Sequence, residues 1–236
     1  MTTGLPMKLL KCVAILSAML LAAMLLSASA LAAPPEPGAT TVDSSAVDSG
    51  WILSKLARPA PTRTSFVELR GSALLKAPLR IEGEYLRPRN DTLVREVRSP
   101  YAETTTIRAG EVTIARGGKS RRFSLSRAPE LVGLQASFGA LLEGDRKLLE
   151  QHYRVATQGT RQQWTMVLVP KDKALAVKVR DITLRGRGAE LRCIETQSVG
   201  TKKAPAELQR TLLAGAARAA AGLATSDQLA GLCLNR

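Results

Sequence analysis

The feature that most limits what this chain can fold into is a long stretch of period-two hydrophobicity. Between Thr62 and Leu125 apolar residues recur at every second position in short runs, and Pro, Asn-Asp or Gly pairs divide one run from the next. Period two puts alternate side chains on opposite faces of a strand, and breaks this short permit only tight antiparallel connections. Phe66 and Leu69 mark a first strand whose alternation is imperfect. Leu79, Ile81 and Tyr85 then alternate with Arg80, Glu82 and Glu84, and Leu93 and Val97 mark the next run. Val112 and Ile114 alternate with Glu111, Thr113 and Ala115, and Phe123 and Leu125 follow the Gly117-Gly118 turn. One face is apolar and the other charged, so the pattern predicts a sheet covered by protein on one side only.

Helical spacing flanks this block. Val47, Trp51, Ile52 and Leu56 predict a helix, with Asp43-Ser44-Ser45 as candidate N-caps and Arg58-Pro59-Ala60-Pro61 as its stop. Leu131, Leu134, Phe138, Leu141 and Leu142 form a second stripe after Pro129, with Gly144 placed as a C-terminal cap and a further helical turn expected at Asp145 to Leu149. Strand spacing returns at Tyr153 and Val155 and again at Trp164, Met166 and Leu168. Leu175, Val177 and Val179 share one parity and Ile182 and Leu184 the other, which predicts a bulge at Arg180-Asp181. Leu191 and Cys193 carry the last expected strand. The fold class is therefore α+β and mostly β: a curved antiparallel sheet of about ten strands, forming an incomplete, half-open barrel whose concave side is covered by helices. This domain is assigned to residues 43–198. Residues 199–236 read as an Ala-rich helical tail, because alanine dominates Ala206 to Ala224.

The N-terminus predicts export. Lys8 and Lys11 precede an apolar run from Val13 to Leu26, and small residues follow, with Ala30-Leu31-Ala32 or Ala28-Ser29-Ala30 fitting the A-x-A rule. Residues 1–32 are read as a signal peptide and the Pro-rich 33–42 as a flexible arm, which places the mature protein in the periplasm. Cys12 leaves with the leader, so Cys193 and Cys233 remain, either bridged or as two buried thiols; an even count in an oxidising compartment suggests the bridge. The net charge of +14 falls to +12 once Lys8 and Lys11 are removed, a surface suited to anionic headgroups, and export takes nucleic acid out of reach.

Catalytic chemistry finds no footing. His152 is the only histidine, no G-x-S-x-G elbow occurs, and Gly117-Gly118-Lys119-Ser120 opens a strand where a phosphate loop would open a helix. Neither metal-type spacing nor a cofactor motif is present, so no enzyme, metal or cofactor is expected. Aromatic residues make up only 3% of the chain, so any cavity is walled by aliphatic side chains, which suit flexible acyl chains. Its candidate lining is Leu79, Ile81, Tyr85, Leu93, Val97, Val112, Ile114, Phe123, Leu125, Leu134, Phe138, Trp164, Met166 and Leu168. Alternation alone does not separate such a lining from a filled core. Arg95 shares parity with Leu93 and Val97, which directs its guanidinium toward the covered face, where a buried charge needs a partner.

The order of elements also resembles a known family. WILSKLAR (Trp51 to Arg58), FVELRGSALLKAP (Phe66 to Pro78), GEYLRPRNDTLVREVRSP (Gly83 to Pro100), LLEGDRKLLEQHYRV (Leu141 to Val155) and WTMVLVP (Trp164 to Pro170) are similar to segments of the LolA-like outer-membrane lipoprotein carriers. Within that family they resemble the LolA-related proteins of aryl-polyene and xanthomonadin-type gene clusters, over about Val47 to Glu195. The resemblance implies a monomeric periplasmic carrier that takes acyl chains of a lipoprotein, lipid or acylated precursor from an inner-membrane donor to an outer-membrane acceptor. It also implies that Arg87, the arginine of the Arg-Pro turn, helps hold a helical lid shut, a coupling role that nearby Arg95 could share. The same fold serves in periplasmic stress sensors that bind an anti-sigma factor, so a protein-interaction module is the alternative expectation.

Overall fold

The computed structural model describes residues 47–70, 78–125, 139–201, 205–223 and 225–234. The expected leader, arm and caps at Asp43-Ser44-Ser45 lie outside these residues, as do Leu134, Phe138 and the start of the second helical stripe. Residues 42–236 form one compact unit.

Eleven antiparallel strands make one curved, unclosed sheet. They are β1 (Thr62–Arg70), β2 (Leu79–Arg89), β3 (Thr92–Ser99), β4 (Glu103–Arg108), β5 (Glu111–Arg116), β6 (Lys119–Ser124), β7 (Tyr153–Gly159), β8 (Trp164–Pro170), β9 (Val179–Arg187), β10 (Glu190–Ser198) and β11 (Leu208–Leu213). The order across the sheet is β6-β5-β4-β3-β2-β1-β11-β10-β9-β8-β7, so the two ends of the domain meet in its centre. The helices are α1 (Ser49–Leu56), α2 (Arg146–His152), α3 (Lys173–Ala176), α4 (Ala214–Ala219) and α5 (Ser226–Cys233), and residues 139–143 are also helical.

Local chemistry sets these boundaries. Asp48 caps α1 by accepting the Trp51 amide at 3.0 Å, and Pro59 and Pro61 bar its continuation. Asp145 caps α2 in the same way through Leu148. Gly117 and Gly118 both take positive φ in the β5–β6 turn, as a two-residue hairpin loop requires. In the β9–β10 ladder Gln197 faces Asp181 while Ser198 faces Val179, which leaves Arg180 as the extra residue of a bulge. The strand begins only at Val179, however: residues 173–176 form α3 and Val177 lies exposed, so the parity read at Leu175 and Val177 belongs to a helical turn. His152, the single histidine, ends α2.

On the inner face α1, Ala140, Leu141 and Leu149 pack against Phe66, Ile81, Val97, Trp164, Met166, Leu168, Ile182, Leu184, Ile194 and Leu213. Two glycines make this packing possible. A Cβ at Gly83 would lie 1.9 Å from the Glu96 carbonyl oxygen and 2.9 Å from the Phe66 ring, and one at Gly186 would lie 2.0 Å from the Trp164 indole. A smaller cluster of Ile107, Val112 and Leu125, with Ile114 and Phe123 against it, sits on the β4–β6 wing.

The expectation of a sheet covered on one side only is corrected by the C-terminal residues. Ala216, Ala217, Ala220, Leu229 and Cys233 cover Val67, Leu69, Cys193 and Leu212 on the outer face. The alanines let α4 lie close to the strands, and a disulfide joins Cys193 of β10 to Cys233 of α5. Arg80 reaches from β2 to donate to the carbonyl oxygens of Ala220, at 2.9 Å, and Leu223, satisfying acceptors at the end of α4. The helix expected over Ala206 to Ala224 is corrected as well: residues 208–213 are strand β11, hydrogen-bonded between β1 and β10, and helix begins only at Ala214. The tail is thus part of the domain, and the sheet does not end near residue 198.

Candidate functional site

A cavity of about 510 Å³ opens under the lid formed by the end of α1 and residues 139–143. Its floor comes from the first residues of β1 (Thr62, Thr64), from Tyr85 and Leu86 of β2, Leu93 of β3 and Leu191 and Leu213 of the central strands. Leu56, Leu141 and Leu142 roof it, and Arg58, Arg87, Arg187 and Glu190 are its charged members. The curvature of the sheet explains the space: the lid touches the β1, β2 and β7–β10 surfaces but leaves the strand ends around Thr62 and Leu213 unfilled.

Arg87 ties this roof to the sheet. Its residue is 4% exposed, yet it carries a charge, so burial requires strong partners. Nη1 donates to the backbone oxygen of Arg58 at 2.8 Å, just past the end of α1, and Nη2 donates to Glu143 at 3.2 Å, at the end of the second lid segment. The two lid pieces also join directly, the Arg58 amide donating to the Leu142 oxygen at 3.0 Å. Gly144 takes φ +72° beneath them, where a Cβ would stand 3.2 Å from that of Ala57. One strand residue therefore holds both halves of the lid. Alternation explains its placement: Ile81, Gly83, Tyr85 and Arg87 share the inner face of β2, with Arg87 opposite Thr62 in the unbroken β1–β2 register.

Arg95 lies farther along the inner face and does not contact the lid among the described residues. It donates to Glu68 at 3.3 Å and stacks over Phe66 at 4.8 Å from the ring centroid, with Tyr85 4.8 Å from the same ring. Glu68 is 1% exposed and also accepts from Arg70 at 2.7 Å. Burial pushes the Tyr85 phenol above its ordinary value, against the opposing pull of Arg95, so the phenol stays protonated. Among the described residues Arg95 thus belongs to a charged group in the sheet floor.

The expected lining is revised accordingly. Tyr85 and Leu93 face the cavity. Ile81, Val97, Trp164, Met166 and Leu168 are packed core, Leu79 lies against that core, and Val112, Ile114, Phe123 and Leu125 form the separate wing cluster. All of them share the inner face, but among the described residues α1, Ala140, Leu141 and Leu149 pack on its core part, and the hollow lies at the end near Arg87. Leu56, Leu141, Leu142, Leu191 and Leu213 line the hollow without having been assigned to it, although all but Leu213 stood out as members of apolar stripes. Of the described residues only Cys193, Glu195 and Cys233 cluster with metal-ligand geometry, and the disulfide takes both sulfurs out of use.

These residues thus build an open half-barrel with a helical roof over a largely apolar hollow. A family model described as outer membrane lipoprotein carrier protein LolA-like matches residues 41–236, and the chain belongs to that family. Some members bind lipids or lipoproteins, and members are generally carriers or binding proteins and not enzymes. No curated protein matches the chain. Among solved structures, a LolA superfamily protein from Nitrosomonas europaea is 12% identical, covering 71% of this chain and 92% of its own, with a TM-score of 0.36. The Pseudomonas aeruginosa MucA/MucB complex supplies a chain 17% identical, covering 78% of this one and 60% of that one, at TM-score 0.38. LprF from Mycobacterium bovis is 12% identical over 71% and 91% of the two chains, at TM-score 0.30.

Proposed function

We propose that this protein is a periplasmic carrier that takes acyl chains of a lipid, lipoprotein or acylated precursor into the hollow beneath its lid for delivery toward the outer membrane. The observation that carries the reading is an aliphatic cavity of about 510 Å³ left unfilled by side chains and roofed by helices that a single buried arginine ties down. That volume falls inside the roughly 300–1,000 Å³ range of ligand sites. The energetics favour opening on demand. Arg87 offers the lid two hydrogen bonds from a charged group, each about 1.5–3 kcal/mol net at most. Every methylene withdrawn from water contributes about 0.8 kcal/mol, so a chain of eight or more methylenes outweighs the latch.

Location in the periplasm rests on the leader-like residues 1–32, and a transit role rests on membership of the carrier family. The test is to purify the protein without detergent, release its contents into organic solvent and identify them by mass spectrometry. A stoichiometric acyl lipid or acylated precursor is expected. Preparations repeatedly empty, and still unable to take up a long-chain lipid offered in vitro, would remove the proposal.

A further inference from the structure

The mouth of the hollow carries more positive charge than the latch needs. Most arginines of the described part are matched to carboxylates, including Arg63 and Arg98 to Glu84, Arg70 and Arg95 to Glu68, and Arg185 and Arg210 to Glu195. Two that line the cavity are not. Among the described residues, neither the Arg58 nor the Arg187 guanidinium forms an ion pair or a hydrogen bond, and both are exposed. The acidic groups nearby are already engaged. Glu143 accepts from Arg87, and Glu190 accepts the Gly215 amide at 2.7 Å while lying 3.9 Å from Arg192. Arg58 comes from the lid, just past α1, and Arg187 from the end of β9, so two different elements bring an unmatched cation to one apolar hollow.

An unmatched guanidinium beside an apolar surface is a ready donor to a carboxylate or phosphate, whose planar or tetrahedral oxygens accept its forked N–H groups. We infer that the hollow selects an amphiphile with an anionic headgroup, a carboxylate or a phosphate, held at the mouth by Arg58 and Arg187 while its hydrocarbon lies inside. The assignment rests on the carrier reading and narrows it: a neutral acyl ester would fill the same space and leave both guanidiniums without a partner. Arg58 adds a coupling, since its backbone oxygen receives Arg87 while its side chain faces the ligand. A headgroup that draws Arg58 therefore pulls on the residue that the latch holds.

The test compares three probes of equal chain length on the delipidated protein by calorimetry: hexadecanoate, its methyl ester and hexadecyl phosphate. Hexadecanoate is expected to bind at least about ten-fold more tightly than the ester, a margin that shrinks as salt is raised, because a partly exposed charge-assisted contact is worth about that much. In the Arg58→Gln/Arg187→Gln double variant the ratio of acid to ester affinity should fall to near one. Hexadecyl phosphate binding tightly while hexadecanoate matches the ester would keep the anionic headgroup and identify it as phosphate. Equal affinities for all three in the unaltered protein would overturn the inference and leave the carrier reading in place, whereas no binding of any probe would overturn both. An acid preference that survives the double substitution would remove the assignment to Arg58 and Arg187, and the salt dependence of the unaltered protein gives a reading that needs no variant.

Discussion

Carboxylates are the scarce partner in a chain with 34 Lys and Arg against 20 Asp and Glu, and the buried ones are each shared by two arginines. Glu68 on the inner face lies between Arg70 and Arg95, and Glu84 and Glu195 on the outer face lie between Arg63 and Arg98 and between Arg185 and Arg210. Sharing matters because a buried carboxylate loses hydration that one contact does not fully replace. Glu195 shows the balance. Burial alone would raise its pKa, but hydrogen bonds from Arg185 at 2.8 Å and Arg210 at 2.8 Å, with the charges behind them, hold it below the ordinary glutamate value. A folded-state pKa below the unfolded one means that the native protein binds this proton less readily than the unfolded chain does. The resulting stability is complete above about pH 4.3 and is lost as pH falls through the lower folded value. Glu195→Gln should therefore be less stable than the parent protein at pH 7 in urea titrations, and the gap should close as the titrations are repeated down to pH 3. A gap that stays constant over that range would mean that Glu195 contributes shape and not charge.

Elements buried on both faces were the ones the sequence concealed. Alternation marks a strand only while one of its faces stays polar, and it served well for β2 and for β5, where Val112 is buried and Glu111 exposed. In β1 the run Phe66, Val67, Glu68, Leu69 is buried throughout, since Phe66 meets α1 and Val67 and Leu69 meet α4 and α5, so its period looked imperfect. In β11 Leu212 faces outward and Leu213 inward, both buried, and the alanines beyond them drew the reading toward helix. The site divides similarly. Arg95 was placed on the inner face by parity and Arg87 by likeness to a known turn, whereas Arg58 and Arg187 sit at the ends of elements, where periodicity gives no direction. The tail's attachment to the outer face has a measurable weight. The disulfide closes a separation of 40 residues between β10 and α5, worth roughly 4 kcal/mol in the chain-entropy account. Urea unfolding with and without a thiol reductant should differ by about that amount, with α5 the first segment cut by protease in the reduced protein. A difference under about 1 kcal/mol would show that Leu229 and its neighbours hold the tail by packing alone.

For the whole molecule, the decisive relation is between an open sheet and a lid fastened at one end. Among the described residues β6 and β7 are unpaired edges, so the sheet never closes and its curvature can adjust without breaking a ladder. The lid is held differently along its length. Ile52 and Leu53 are fully buried against the core, while Arg58 and Leu142 meet above the hollow through one backbone hydrogen bond and the Arg87 latch. Ligand entry should therefore free the latch end and leave the core end in place, a hinge in which only residues near Arg58 and Glu143 change partners. Amide hydrogen exchange reads this directly, because the Arg58 amide is protected by the Leu142 oxygen and the Leu53 and Ala57 region by α1 itself. On saturation with hexadecanoate, exchange at Arg58 should quicken several-fold while the amides of Ile52 and Leu149 keep their protection. In Arg87→Met the unliganded protein should already exchange quickly at Arg58, and adding ligand should change it little. Slower exchange at Arg58 on loading, with binding proven in the same sample, would mean that the lid closes over its ligand and that Arg87 fastens the filled state instead of the empty one.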